Sequence, residues 1–197
     1  MKQPLTSYFV WDRTVRIFHW VNVLCVLGLI AIGTVILNSK VLGVSVDGKI
    51  LLKTIHVYIG YIFAVNLTWR IVWGFIGSHY ARWQAMLPFG AEYRSQLSAM
   101  ISGAKSGRPV SFLGHNPIGR LMVALLFLLL SIQAITGLVL AGTDVYMPPF
   151  GNTIKEWVAT DPEMVESIKP YSKYTTLYKT MSYAHCFLAI SSVPVIM

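Results

Sequence analysis

The chain has 197 residues, 55% of them hydrophobic and only 12% charged, whereas charged side chains make up roughly 25% of an ordinary soluble domain. That composition excludes a water-solvated globule and leaves lipid as the solvent. The net charge of +8 does not argue for nucleic acid, because basic residues beside apolar runs set membrane orientation instead.

In chain order, the first apolar run covers 17–37 and carries no charge. A helix rising about 1.5 Å per residue needs about 20 such residues to cross about 30 Å of hydrocarbon. Lys2, Arg13 and Arg16 precede the run as they would a secretory signal, but signal cores span only about 7 to 15 residues and end at a cleavage site. The run is therefore expected to stay in the mature protein. The second, 51–76, contains Lys53 and Arg70, both near its ends where long side chains can reach the interface. The connection 77–118 includes the loop-like "SGAKSGRPVS", and the third run follows at 119–141. A long connection, 142–178, leads to a fourth run at 179–197. These features predict a single all-α membrane domain, an up-down-up-down four-helix bundle.

All seven arginines, Arg13, Arg16, Arg70, Arg82, Arg94, Arg108 and Arg120, fall before the first span or around the connection between the second and third. The connection 142–178 carries Asp144, Glu156, Asp161, Glu163 and Glu166. By the positive-inside tendency the N-terminus and 77–118 are cytoplasmic and 142–178 is outside. Cys25 and Cys186 form no disulfide framework and no C-x-x-C-H haem-attachment motif.

Ionisable residues within spans are scarce and usually serve a purpose, which singles out His19, His56 and His185. His56 lies three residues after Lys53 and His185 six after Lys179, in spans that both start on the outside. Parity places them at one depth near the outer face and leaves His19 near the inner face. A single intramembrane histidine need only bond a neighbouring carbonyl or water. Two at equal depth on different helices instead suit the axial positions of a haem iron. Gly60, at i+4 from His56, offers a bare helix face for a flat macrocycle, as do Gly28, Gly33 and Gly137; close helix packing is the competing explanation for all four.

The segments "WDRTVRIFHWVN", "KTIHVYIGY", "GHNPIGRLMVALLFLLLSIQAITGL" and "SYAHCFLAISSVPVIM" resemble the bacterial cytochrome b family that includes membrane subunits of nickel-iron hydrogenases and formate dehydrogenases. The resemblance implies a four-helix bundle in the bacterial inner membrane that holds haem b and passes electrons between an extracytoplasmic redox subunit and membrane quinone. It implies that His56 and His185 ligate an outer haem and that His19 is one ligand of an inner haem. The inner partner in two-haem members lies 14 residues after the first histidine of helix four, about 21 Å further along a helix, which is position 199 here. The sequence is therefore expected to be a shortened chain with its outer haem site complete and its inner one half built.

His115 in "GHNPIGR" is a candidate contact for a haem propionate or quinone, or a substitute ligand, against the plainer role of a turn histidine bonded to backbone. Arg16, with Arg13 and Arg120, suits propionates by its carboxylate-matching fork, though topology alone accounts for all three. His79 reads as interfacial. The 142–178 connection, with Trp157 and its acidic residues, is a candidate docking face for a hydrogenase-like subunit, a dehydrogenase or a cytochrome c, or else a surface-lying segment. The competing function is a stand-alone oxidoreductase that reduces quinone with electrons from a small molecule. A homodimer is left open by the sequence.

Overall fold

The computed structural model describes residues 12–108, 110–112, 114–145, 147–153 and 178–189. Regular structure among the described residues is helical: α1 (Arg13–Leu37), α2 (Val46–Ile76), a 3₁₀ turn (His79–Ala81), α3 (Trp83–Met86), α4 (Gly90–Lys105) and α5 (Pro117–Asp144). A further helix, α6, covers 178–189. Three helices, Arg13–Leu37, Val46–Ile76 and Pro117–Thr143, are long and apolar enough to cross a membrane, so the chain is a multi-pass membrane protein. The expected fourth span falls on α6 only as far as residue 189; its remainder, and the candidate docking residue Trp157, lie outside the described residues.

The helix starts are written locally. Asp12 caps α1 by accepting from the Val15 amide at 2.8 Å, and Ser45 caps α2 by accepting from Gly48 at 3.1 Å. Asn116 caps α5 through the Gly119 amide at 2.6 Å, with Pro117 in the first turn. Each cap satisfies a backbone donor that the helix itself cannot. The "GHNPIGR" motif is thus first of all a helix start: Gly114 takes φ +85, a left-handed turn that favours glycine, and Asn-Pro opens the helix. Residues 77–118 are not simply a loop, because α3 and α4 lie within them.

α1 and α2 form an antiparallel hairpin. Asn66 near the far end of α2 donates to the Phe18 carbonyl at 3.1 Å, and Asp12 accepts from the Trp73 indole at 3.0 Å and the Ser78 hydroxyl at 2.8 Å. α5 packs on α2, with Cys25, Phe63, Leu67 and Leu130 as the buried centre. The Tyr61 hydroxyl donates to the Pro148 carbonyl just beyond α5. Large apolar side chains such as Leu24, Val65, Phe75 and Leu128 stay exposed along the helices, as expected for surfaces whose solvent is lipid.

One residue departs from its sequence reading. Arg70 does not reach out to the interface; it is 1% exposed. α2 runs on to Ile76 and the chain then folds back, so that Ala81 accepts from the guanidinium at 3.1 Å and Met86 sulfur lies against the same nitrogen. Phe18, Trp83 and Phe127 enclose the charge with ring centroids 5.9, 5.8 and 5.5 Å from its central carbon. Trp83 itself donates to the Ile71 carbonyl at 3.1 Å and lies so close to Gly74 that any Cβ there would meet the indole at 2.2 Å. Desolvated cation–π contacts are worth up to about 2 kcal/mol each. Arg70 therefore joins α1, α2, α3 and α5 at one end of the bundle. Arg70→Ala should lower unfolding stability in detergent by on the order of 2–4 kcal/mol, more than the roughly 1 kcal/mol expected for the lost cap in Asp12→Ala; thermal denaturation of the two variants compares them.

Candidate functional site

The half of α2 next to the hairpin turn brings His56 against α6. The His56 and His185 imidazoles lie with ring centroids 6.4 Å apart and planes at 76°. Two imidazoles on opposite sides of one metal ion need about the same separation, given metal–nitrogen bonds of about 2 Å. The space is made by glycines from two other helices. A Cβ on Gly33 of α1 would meet His56 Cε1 at 3.4 Å, and one on Gly137 of α5 would meet His185 Cε1 at 3.1 Å. Gly60, expected to bare a face beside His56, has no atom of the described residues within 4 Å of its would-be Cβ, while a Cβ on Gly28 would meet Ile59 Cδ1 at 3.5 Å.

α5 contributes two polar side chains to the pair. Thr136 Oγ1 is 3.0 Å from His185 Nδ1, and Gln133 Nε2 is 3.2 Å from His185 Nε2. Neither belongs to a motif. Their signal in the sequence is that they interrupt the apolar run "LLLSIQAITGL" at a three-residue spacing, on the helix face that also carries Gly137. Among the described residues, His56 Nδ1 and Gln133 Oε1 are buried without a hydrogen-bond partner. An unmet polar atom in an apolar interior costs on the order of 1–3 kcal/mol, so these atoms mark a place where a bound group would complete the structure. Among the described residues no group of three or more His, Cys, Asp or Glu side chains could hold a metal ion by itself. Two imidazoles do suit an iron whose other four ligands come from a porphyrin.

The remaining candidates lie elsewhere. His19 is exposed on α1, its ring 5.9 Å edge-on from Trp20. It falls near the opposite end from His56, and the inner partner expected for it lies outside the described residues. Arg16 lines a shallow groove with Arg13, Ile17, Trp20, Val21 and Leu24. His79 is exposed and stacks edge-on with Tyr80 at 5.2 Å.

His115 is half-buried at the start of α5. Burial, and then the positive charges of Arg120 and Arg70, hold its imidazole below the usual histidine range. Arg120 is itself buried, 3.6 Å from Glu92 of α4, with its Nε unpartnered. Among the described residues Arg70 Nη1 is likewise buried and unpartnered at this end, and Asn22 Oδ1 part-way along α1.

A membrane bundle of apolar helices with two imidazoles meeting across it is the architecture of a membrane b-type cytochrome. The chain belongs to the prokaryotic cytochrome b561 family, whose model matches residues 10–197. It is similar to proteins named "Probable Ni/Fe-hydrogenase B-type cytochrome subunit" from Cupriavidus necator, 28% identical over 79% of this chain and 67% of the relative, and from Rhizobium leguminosarum bv. viciae, 32% identical over 70% and 63%. The corresponding hydrogenase 1 subunit of Escherichia coli K12 is 30% identical over 69% of this chain and 61% of its own length. The chain thus spans about two thirds of the length of the curated relatives it matches. No solved structure matches it.

Because its folded proton affinity is depressed, His115 binds fewer protons in the native state than in the unfolded one. Its contribution to stability is therefore complete above the ordinary histidine value of 6.5 and is lost as pH falls below it. Replacing it as His115→Gln should flatten the fall in melting temperature between about pH 6.5 and 5, measured by thermal unfolding across that range.

Proposed function

We propose that this chain is the electron-carrying membrane subunit of a hydrogenase-type respiratory assembly, with His56 and His185 as axial ligands of haem b. The observation that carries the reading is the imidazole pair at 6.4 Å, supplied by helices more than 120 residues apart in sequence and admitted by Gly33 and Gly137. The names of the relatives point to a hydrogenase as the redox partner. Bound between the two imidazoles, haem b supplies a one-electron Fe(III)/Fe(II) couple. The chain's own residues do the rest: α1, α2, α5 and α6 keep water from the pair, and the polar side chains of α5 orient one ring.

Electrons enter or leave through membrane quinone at the other end. There His115, held neutral, can offer a hydrogen bond to a quinone oxygen beside the cationic Arg120 and Arg70, and His19 and Arg16 stand ready for an inner haem and its propionates. The arginine distribution supports putting this end, with the N-terminus, on the cytoplasmic side of a bacterial membrane. The histidine pair then faces the extracytoplasmic partner.

Haem content per polypeptide, combined with a redox titration, tests the reading. His56→Ala and His185→Ala should each remove the same haem, while His19→Ala leaves it in place. Retention of the complete wild-type haem spectrum in both His56→Ala and His185→Ala contradicts the assignment. Gly137→Ala, whose added methyl would press on His185 at 3.1 Å, should lower haem occupancy more than Gly33→Ala, where the contact is 3.4 Å; equal occupancies would speak against the glycines as spacers for the pair.

A further inference from the structure

The two imidazoles are not held alike. Thr136 Oγ1 lies 3.0 Å from His185 Nδ1, and its own hydroxyl proton has two carbonyls of its helix within reach, Ile132 at 3.0 Å and Gln133 at 3.1 Å. With Nε2 given to iron, a neutral imidazole keeps its proton on Nδ1, and the threonine oxygen is then placed to accept a hydrogen bond from it. The Gln133 side-chain amide lies on the other side of the ring, 3.2 Å from Nε2. His56 has no such arrangement among the described residues, where its Nδ1 is buried with no partner.

We propose that Thr136 is a positioning residue for His185. It favours the tautomer and ring orientation that present Nε2 to iron, and by accepting a hydrogen bond from Nδ1–H it makes His185 the more electron-donating of the two ligands. The proposal rests on the reading of His56 and His185 as haem ligands. The Gln133 amide and an iron would occupy the same side of the ring, so Gln133 would give way to the metal while Thr136 stays within hydrogen-bond distance of Nδ1. A hydrogen bond accepted from the distal nitrogen raises the basicity of a ligating imidazole. The more basic ligand favours Fe(III), so Thr136 holds the midpoint potential down.

The test compares Thr136→Val, Thr136→Ala and Thr136→Ser in the haem-loaded full chain by redox titration, with haem content and His185→Ala alongside. Valine keeps the shape of threonine without its acceptor, and serine keeps the acceptor. The expected result is an upward shift of the midpoint potential in the valine and alanine variants and a return to the wild-type value in the serine variant. A residue that merely packs would change the yield of folded protein and leave the potential of the remaining haem where it was. Should valine and alanine both hold no haem, complete retention in Thr136→Ser supports the acceptor role, and loss in all three overturns it. A wild-type potential in Thr136→Val overturns it as well. If His185→Ala keeps the wild-type haem spectrum, the ligation reading falls and takes this proposal with it. If His185→Ala loses the haem while Thr136→Val keeps the wild-type potential, this proposal alone falls.

Discussion

An imidazole inside hydrocarbon carries one donor and one acceptor, and neither can be left to water. Two of them, His56 and His185, meet within an apolar bundle, and the helices around them are arranged accordingly. α5 presents a glycine, Gly137, where a Cβ would press on the His185 ring at 3.1 Å, and α1 presents Gly33, where one would touch the His56 ring at 3.4 Å. α5 sets a threonine and a glutamine against the two nitrogens of His185. The packing of four helices thus converges on one pair of side chains. Among the described residues His56 Nδ1 and Gln133 Oε1 remain unpartnered, so the contact is not a fully satisfied polar one.

The opposite end is organised about a charge. Arg70 is enclosed by three aromatic rings and bonded to the segment that folds back over α2, and Asp12 fastens the start of α1 to the end of α2. Partial burial pushes the Asp12 carboxyl up, but the hydrogen bonds from Val15, Trp73 and Ser78 outweigh it and hold the carboxyl below the usual carboxylate range. The native state therefore favours the ionised form, and this clamp weakens as pH falls through the lowered carboxylate range and the carboxylate protonates. Fixing the hairpin here also fixes its register, which sets Gly33 opposite His56 some 20 residues away, about 30 Å at helical rise.

Much of this was legible in the sequence, because the lengths of apolar runs are dictated by bilayer thickness. Counting residues from the span boundaries placed His56 and His185 at one depth, and the structure brings their rings together. Caps were less legible. α2 begins at Val46, not at residue 51, since Ser45 and Asp47 make a good helix start that an apolar-run boundary ignores. α4 went unseen for a related reason: Gly90–Lys105 is polar and small-residue-rich, and its support comes from contacts such as Glu92 with Gln96 and Arg120. Arg70 near the end of a run suggested snorkelling, and only the fold-back of 77–86 turns it inward. Gly60 was chosen because it lies on the histidine's own helix, yet the close approaches come from facing helices, whose register a single sequence does not encode. Thr136 and Gln133 were visible only as polar interruptions.

The central claim is that one iron is held by two imidazoles, from α2 and α6. Electron paramagnetic resonance of the oxidised, purified protein tests it most directly, because two strong-field imidazoles force ferric haem into the low-spin state. The account predicts that the low-spin ferric signal of this haem is lost, or converts to high spin, in both His56→Ala and His185→Ala, whatever a haem at His19 contributes. A wild-type haem that is high-spin throughout, or a low-spin signal that keeps its full wild-type intensity in both variants, would contradict it.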